Sequence, residues 1–363
     1  MKILVGMPSK DSWGGPIASE PPFVDALRDL GVSVTEEVYV FGDKGQPTPF
    51  FRRIQRVIAT TLNLRRVLRR HDFDLMHLNT AFDKKTIIRD SLSLFLLGTK
   101  RPKVFFKFHG SGAEEFVKTG FLYRQMIEYI KGRVDGFGVF SSEEMSNFRQ
   151  IGFDERKMFS VKNAITIRAE PNEVMMRSPE NKTTQILFVS RFIPTKGLLE
   201  TIQACAILRD LKFTFVLTCV GDGETAVPAK SEVERLDLAD QVEFTGYIAE
   251  DEVTKHYFDS DIFVFPTRHI EGFPIVLFKA VAAGLPIVTT NIRAAKDYLT
   301  EHENCLFSTQ APANIAEKII KLIEDKSLRE SMRENNVELG KTLLPEKIAR
   351  EYLAIYKKIC GLS

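Results

Sequence analysis

The chain has little cysteine, and what it has is scattered. Cys205, Cys219, Cys305 and Cys360 form no C-x-x-C pair anywhere in 363 residues. That spacing argues against a zinc site and against a disulfide scaffold, and it fits a reducing compartment. A surplus of one charge is also missing: 50 basic and 48 acidic side chains leave a formal net charge of +2. A dedicated nucleic-acid binder is therefore not expected. Long apolar runs are absent too. Residues 91–98 are apolar but far too few to span a bilayer. The N-terminus opens at once on a strand, so no signal peptide is expected. The turn after that strand reads Met7-Pro8-Ser9-Lys10 rather than G-x-G-x-x-G, which argues against a nicotinamide dehydrogenase. No sharp repeat and no low-complexity segment stands out.

What is present suits two hydrophobic cores. With 44% hydrophobic and 27% charged residues, the chain can bury sizeable cores and is not disordered by composition. In the first half, short apolar runs at 3–8, 34–41, 74–78, 104–109, 136–141 and 158–162 alternate with amphipathic stretches at 23–30, 54–68 and 121–130. That rhythm predicts a doubly wound parallel sheet. Residues 167–184 are polar, carry Pro171 and Pro179 and lack a period, which marks a hinge. Strand patterns then restart at 186–190, 213–220, 242–244, 262–265 and 286–290. The expected architecture is α/β, with two Rossmann-like domains facing across a cleft. The first covers 1–166 and the second 185–344. A last helix, after Leu344-Pro345, returns residues 345–363 to the first. Ligands of such sheets bind at the carboxyl ends of the strands.

Several residues fall at those ends. Ser190-Arg191-Phe192 and Thr195-Lys196-Gly197 follow a buried strand and open a helix. Two cations there suit a diphosphate; a solvated turn carrying surface cations is the plain alternative. Trp13-Gly14-Gly15-Pro16 holds the matching place in the first domain, where backbone amides can approach the same ligand. Gly221-Asp222-Gly223 closes a strand that needs a tight turn. Glu271-Gly272-Phe273-Pro274 joins an apolar strand to an apolar helix at 275–283. Gly272 permits close backbone approach and Pro274 suits the first helical position. A glutamate in such a loop can equally be only solvated. His109 ends a strand before Gly110-Ser111-Gly112, a position expected to face the cleft; it could instead cap the next helix. Arg52, Arg53, Arg56, Arg65, Arg66, Arg69 and Arg70 form a basic run with no acid from Lys44 to His71. An apolar stripe of Ile54, Val57, Ile58, Thr61, Leu62, Leu64, Val67 and Leu68 lies beneath it. This is either a helix resting on anionic lipid or an ordinary helix with a solvated basic face.

Taken in order, these segments resemble retaining glycosyltransferases of the GT-B fold, family 4. The resemblance rests on Gly14-Gly15, His109, Val189-Ser190-Arg191-Phe192 with Lys196-Gly197, Val220-Gly221-Asp222-Gly223, Phe244-Thr245-Gly246-Tyr247, Phe265-Pro266-Thr267 before Glu271-Gly272-Phe273, Gly284-Leu285-Pro286, and the helix around Tyr352 to Tyr356. It implies that Arg191 and Lys196 hold the diphosphate of a nucleotide sugar, with a backbone contact from Gly15. Glu271 and the amides of Gly272 and Phe273 would hold the donor sugar's hydroxyls and phosphate. His109 would touch the sugar near the reacting carbon, and Tyr247-Ile248 would lie along the base.

The sequence departs from the family at four places. The family's Glu-x7-Glu reads Glu271-x7-Lys279, and lysine cannot accept hydrogen bonds from ribose. Arg293-Ala294 stands for two glycines, Asn163-Ala164-Ile165-Thr166 for Asn-Gly-x-Asp, and Cys305 for a glycine. The expected function is retaining transfer of a hexosyl-type sugar from a nucleotide-diphosphate sugar, a UDP-sugar first, to a glycan or lipid-linked acceptor in envelope polysaccharide or glycolipid synthesis. No metal or other cofactor is expected, because no carboxylate pair stands where it could bridge a cation and a diphosphate. The expected place is the cytoplasm, with peripheral contact to an anionic inner membrane face through residues 52–70. Lys279 keeps two alternatives open: a catalytically impaired nucleotide- or glycan-binding protein, or an enzyme with an unusual phosphorylated donor.

Overall fold

A computed structural model describes residues 1–9, 15–39, 49–169 and 183–362. Gly14 and nearly all of the expected hinge (170–182) lie outside the described residues. The chain divides into two compact units. Unit 1 comprises Met1–Ala164, Ile270–Phe273 and Pro345–Ser363; unit 2 comprises Ile165–His269 and Pro274–Leu344.

Unit 1 is built on β1 (Lys2–Met7), β2 (Ser33–Val38), β3 (Leu75–Phe82), β4 (Lys103–Ser111), β5 (Gly136–Val139) and β6 (Met158–Ser160). They form one parallel sheet in the order β2-β1-β3-β4-β5-β6. Helices α1 (Gly15–Asp29), α2 (Phe50–Arg70), α3 (Lys84–Leu97), α4 (Phe121–Arg133) and α5 (Ser142–Gln150) connect the strands. A parallel sheet covered on both faces needs strands that are apolar throughout, and β3 and β4 are buried along nearly their whole length. Side chains alternate along β4, so Phe106 and Phe108 serve one face while Phe105, Lys107 and His109 serve the other. On the first face Phe82, Phe137, Phe148 and Phe153 stack around Phe108 with centroids as close as 4.8 Å. Each such pair contributes about 1 kcal/mol beyond its area.

The opposite face is closed by the last helix, α13 (Pro345–Cys360). Tyr356 Oη pairs with His77 Nδ1 at 2.6 Å, Tyr352 Oη donates to the Lys162 carbonyl at 3.2 Å, and Tyr352 packs on Phe23 at 4.7 Å. The chain's end thus belongs to unit 1, although residues 165–344 separate it from the rest.

Unit 2 repeats the plan with β7 (Thr184–Val189), β8 (Phe215–Val220), β9 (Val242–Gly246), β10 (Ile262–Phe265), β11 (Ile287–Thr289) and β12 (Cys305–Phe307). The parallel order is β12-β11-β10-β7-β8-β9. Its helices are α6 (Leu198–Asp210), α7 (Ala226–Arg235), α8 (Glu250–Asp259), α9 (Ile275–Ala282), α10 (Arg293–Tyr298), α11 (Pro312–Glu324) and α12 (Lys326–Lys341). Gly340 lets α12 cross α9 closely, since a Cβ there would stand 2.6 Å from the Ala282 Cα.

Some expected boundaries shift. Thr184 begins β7 rather than ending a hinge. Strand β4 continues two residues past His109, because Ser111 still pairs with Phe82 on β3. Strand β12 gave no sequence signal, being three residues long and following a turn at 302–304.

Candidate functional site

Parallel pairing delivers the loops after β7, β8, β9 and β10 to one edge of the unit 2 sheet. Backbone bonds knit them together. Phe192 N donates to Asp222 O at 2.9 Å, Thr225 N to Phe192 O at 3.0 Å, and Gly221 N to Gly246 O at 2.9 Å. Only glycine fits at 221: φ is +137°, and a Cβ would lie 1.8 Å from the Ser190 carbonyl oxygen. Gly221 therefore acts by shape, fixing the turn that carries Arg191.

Arg191 is exposed, whereas Lys196 is only 3% exposed. The Lys196 ammonium lies 5.3 Å from the Phe265 ring centroid. Burial, and then the neighbouring Arg191, push its pKa down to about 7. His269 joins this group. Its Nδ1 lies 2.9 Å from Thr195 Oγ1, and burial together with Lys196 and Arg191 lowers its pKa to about 4. Arg268 N donates to the Thr195 carbonyl at 2.9 Å, tying the loops after β7 and β10 together. Arg191 opposes the charge of Lys196, both oppose a proton on His269, and the two cations at the sheet's carboxyl edge form a site suited to an anion.

Lys279 stands on α9 with 5% exposure, and its ammonium is ion-paired with Glu250, the first residue of α8. The carboxylate that the family pattern would place on α9 is thus borne by α8 next door. Pro274 is the N-cap of α9, with φ −70° and ψ 103°, not its first helical residue as expected. Tyr247 follows β9 and is 76% exposed; Ile248 is partly buried.

Unit 1 assembles a second group. His109 lies within β4, whose pairing runs on to Ser111, and its imidazole side chain is only 4% exposed. Its Nε2 is 2.7 Å from Asn79 Oδ1. Its ring lies 5.7 Å from that of Phe140, and Phe140 lies 5.6 Å from Phe273. Gly272 fits tightly here: a Cβ would be 2.7 Å from Phe140 Cδ2 and 3.3 Å from both carboxylate oxygens of Glu144. Glu144 is buried and accepts from Ser111 Oγ at 2.8 Å and Phe140 N at 3.2 Å. His109, Gly272 and Phe273 therefore meet around Phe140, with Glu271 partly buried beside them in sequence. Gly15 is the first residue of α1.

Sequence reasoning missed Glu20, Asn79, Lys107, Glu144, Glu250 and His269. One signal was available: Lys107 is a single charge inside the apolar strand Val104-Phe105-Phe106-Lys107-Phe108. The basic run lies on α2, where Arg52, Arg53, Arg56, Arg66, Arg69 and Arg70 are exposed. Leu64 and Thr61 are buried beneath, but Leu62, expected in the same stripe, is 45% exposed. Among the described residues no helix is long and apolar enough to cross a membrane, and no group of three or more His, Cys, Asp or Glu could hold a metal.

Comparison with known proteins gives concordant results. Residues 173–338 match the family model described as glycosyl transferases group 1. An N,N'-diacetylbacillosaminyl-diphospho-undecaprenol alpha-1,3-N-acetylgalactosaminyltransferase of Campylobacter jejuni is 25% identical over 94% of this chain and 90% of its own length. The amylovoran biosynthesis glycosyltransferase AmsK of Erwinia amylovora is 31% identical, over 34% of this chain and 32% of its own length. Among solved structures, Anabaena Alr3699/HepE in complex with UDP superposes with a TM-score of 0.75 at 17% identity, covering 99% of this chain and 100% of that one. That last likeness is one of fold.

Proposed function

We propose that this chain, which over residues 173–338 belongs to the glycosyl transferases group 1 and has the GT-B fold, moves a hexosyl-type sugar from a nucleoside diphosphate to a glycan or lipid-linked acceptor. The observation that carries the reading is the pair of Arg191 and Lys196 on the loop after β7, where the burial of Lys196 and its repulsion by Arg191 favour a bound anion. As the glycosidic bond to the diphosphate breaks, negative charge grows on the leaving oxygens. The two cations would stabilise it, and a single such group is worth about 3 kcal/mol. No step in this scheme calls on a metal. His109 would contact the sugar near the reacting carbon, and Glu271 with the amides of Gly272 and Phe273 would hold its hydroxyls. Glu250, held by Lys279, would accept from the ribose diol in place of a carboxylate on α9. Tyr247 and Ile248 would lie along the base, with Gly14 and Gly15 supplying backbone contacts to the diphosphate. We take the configuration at the anomeric carbon to be retained, through an oxocarbenium-like transition state.

The HepE complex holds UDP, which supports testing UDP-sugars first. The Campylobacter relative is named for a diphospho-undecaprenol substrate, which supports a lipid-linked acceptor. The exposed arginines of α2 fit contact with an anionic membrane face at the cytoplasmic side. Binding of UDP-, GDP-, ADP- and dTDP-sugars, read as thermal shifts, tests the reading. One nucleotide class should stabilise the protein, and Arg191→Gln should abolish the shift. Failure of all four to bind would refute the proposal. Chelator should leave turnover intact, and vesicles containing anionic lipid should co-sediment the protein.

A further inference from the structure

Unit 2 begins its sheet in the middle. From β7 the chain moves to β8 and β9 on one side, then crosses to β10 on the other. The loops after β7 and β10 therefore leave neighbouring strands in opposite directions, and at such a switch point an open α/β sheet holds its ligand. One threonine ties the two loops together. The Thr195 carbonyl accepts from Arg268 N at 2.9 Å and from Thr267 Oγ1 at 3.3 Å. Gly197 lets the loops approach this closely: its φ is +84°, and a Cβ would stand 2.6 Å from the Pro266 carbonyl oxygen.

His269 is fixed to this frame twice. Its amide donates to Thr267 Oγ1 at 3.1 Å, and its Nδ1 lies 2.9 Å from Thr195 Oγ1. Nε2 is left over. It has no hydrogen-bond partner among the described residues, and it is not one of the buried polar atoms that lack one, so it is open to solvent.

The charges that bear on the ring are Lys196 and Arg191, on the loop after β7; Arg268 and Glu271 are the charged residues beside it on its own loop. Among the described residues no carboxylate is bonded to it. Burial first, then Lys196 and Arg191, push its pKa down to about 4. A diphosphate set against those two cations would cancel the repulsion that keeps the ring neutral. A hydroxyl can donate to the neutral ring and accept from the protonated one, so the Thr195 tether survives the change of charge.

We propose that His269 is a further binding residue for the donor: its Nε2 meets the diphosphate, and the ring takes up a proton from solvent as the anion arrives. The inference rests on the assignment of Arg191 and Lys196 to that diphosphate. It adds a third group from the neighbouring strand end, and a second proton that titrates below the range of Lys196.

Inorganic pyrophosphate is the probe, because it carries the anion without base or sugar. In NMR spectra of the full chain, the His269 ring C–H signals are assigned by their loss in His269→Asn. They should titrate near pH 4 in the free protein and near about pH 6 with pyrophosphate bound. His269→Asn keeps a polar group opposite Thr195 Oγ1 and removes Nε2. The ratio of wild-type to variant affinity for pyrophosphate, by calorimetry, should rise about tenfold from about pH 7.5 to about pH 5. Protonation of pyrophosphate and of Lys196 is common to both proteins and cancels in that ratio. If His269→Asn does not fold, His269→Gln supplies the assignment and the ratio. A His269 titration unmoved by pyrophosphate, a ratio equal at both pH values, or no binding of pyrophosphate by the wild type would overturn the inference. An unmoved His269 in a protein that still binds a nucleotide sugar leaves the proposed function standing. A His269 that responds to pyrophosphate, in a protein that binds no nucleotide sugar, upholds the anion site and sinks the proposed function instead.

Discussion

Raising the pH should weaken binding of a nucleotide sugar, and the size of the effect follows from one buried lysine. Lys196 has a pKa of about 7, because burial and Arg191 both oppose its charge. A bound diphosphate lies opposite in sign and restores the charge, so binding takes up a proton wherever the free site is neutral. The protonated fraction drops from about 0.9 at pH 6 to about 0.03 at pH 8.5. The dissociation constant for UDP-glucose, whose phosphates are both esterified and do not titrate here, should rise about 30-fold, or about 2 kcal/mol, over that range. Titration calorimetry in buffers of different ionisation enthalpy should count close to one proton taken up at pH 8.5. Stability of the ligand-free protein should move the other way. An unfolded lysine titrates near 10.4, so above pH 7 the unfolded chain holds the extra proton and this group's contribution to stability rises with pH. Lys196→Arg, charged throughout, should flatten the affinity profile, and Lys196→Met should bind weakly at every pH. A flat wild-type profile, or the same slope in Lys196→Met, would refute the reasoning.

Other outcomes follow from the packing. Gly221→Ala should destabilise the protein by about 3 kcal/mol in urea denaturation, since both φ and the Ser190 carbonyl exclude a Cβ. Lys107→Met should cost about 3–5 kcal/mol by leaving Glu20 buried and unpaired, and adding Glu20→Gln should recover part of that loss. Lys279→Glu would face Glu250 with a like charge, so it should lower UDP-sugar affinity rather than raise it. A gain in affinity, read by calorimetry, would mean that Glu250 does not serve the ligand.

The two-sheet architecture was legible because alternating apolar strands and amphipathic helices are local patterns; the order of the strands within each sheet was not, since it is set by pairing between strands remote in the chain. Glycine positions were legible for the same reason: a tight turn after β8 writes itself as Gly221-Asp222-Gly223. Element ends were less so, since β4 runs past His109 only because Ser111 finds a partner on β3.

The sequence by itself determined the sheets and the cationic loop after β7, and it carried the resemblance to a family. Tertiary structure alone decided the states of the charged groups. Lys107 meets a carboxylate 87 residues away, Lys279 one 29 residues away, and His109 an amide 30 residues away. Which charges are cancelled, buried or repelled depends on distances between strands and helices remote in the chain, and no local pattern carries them.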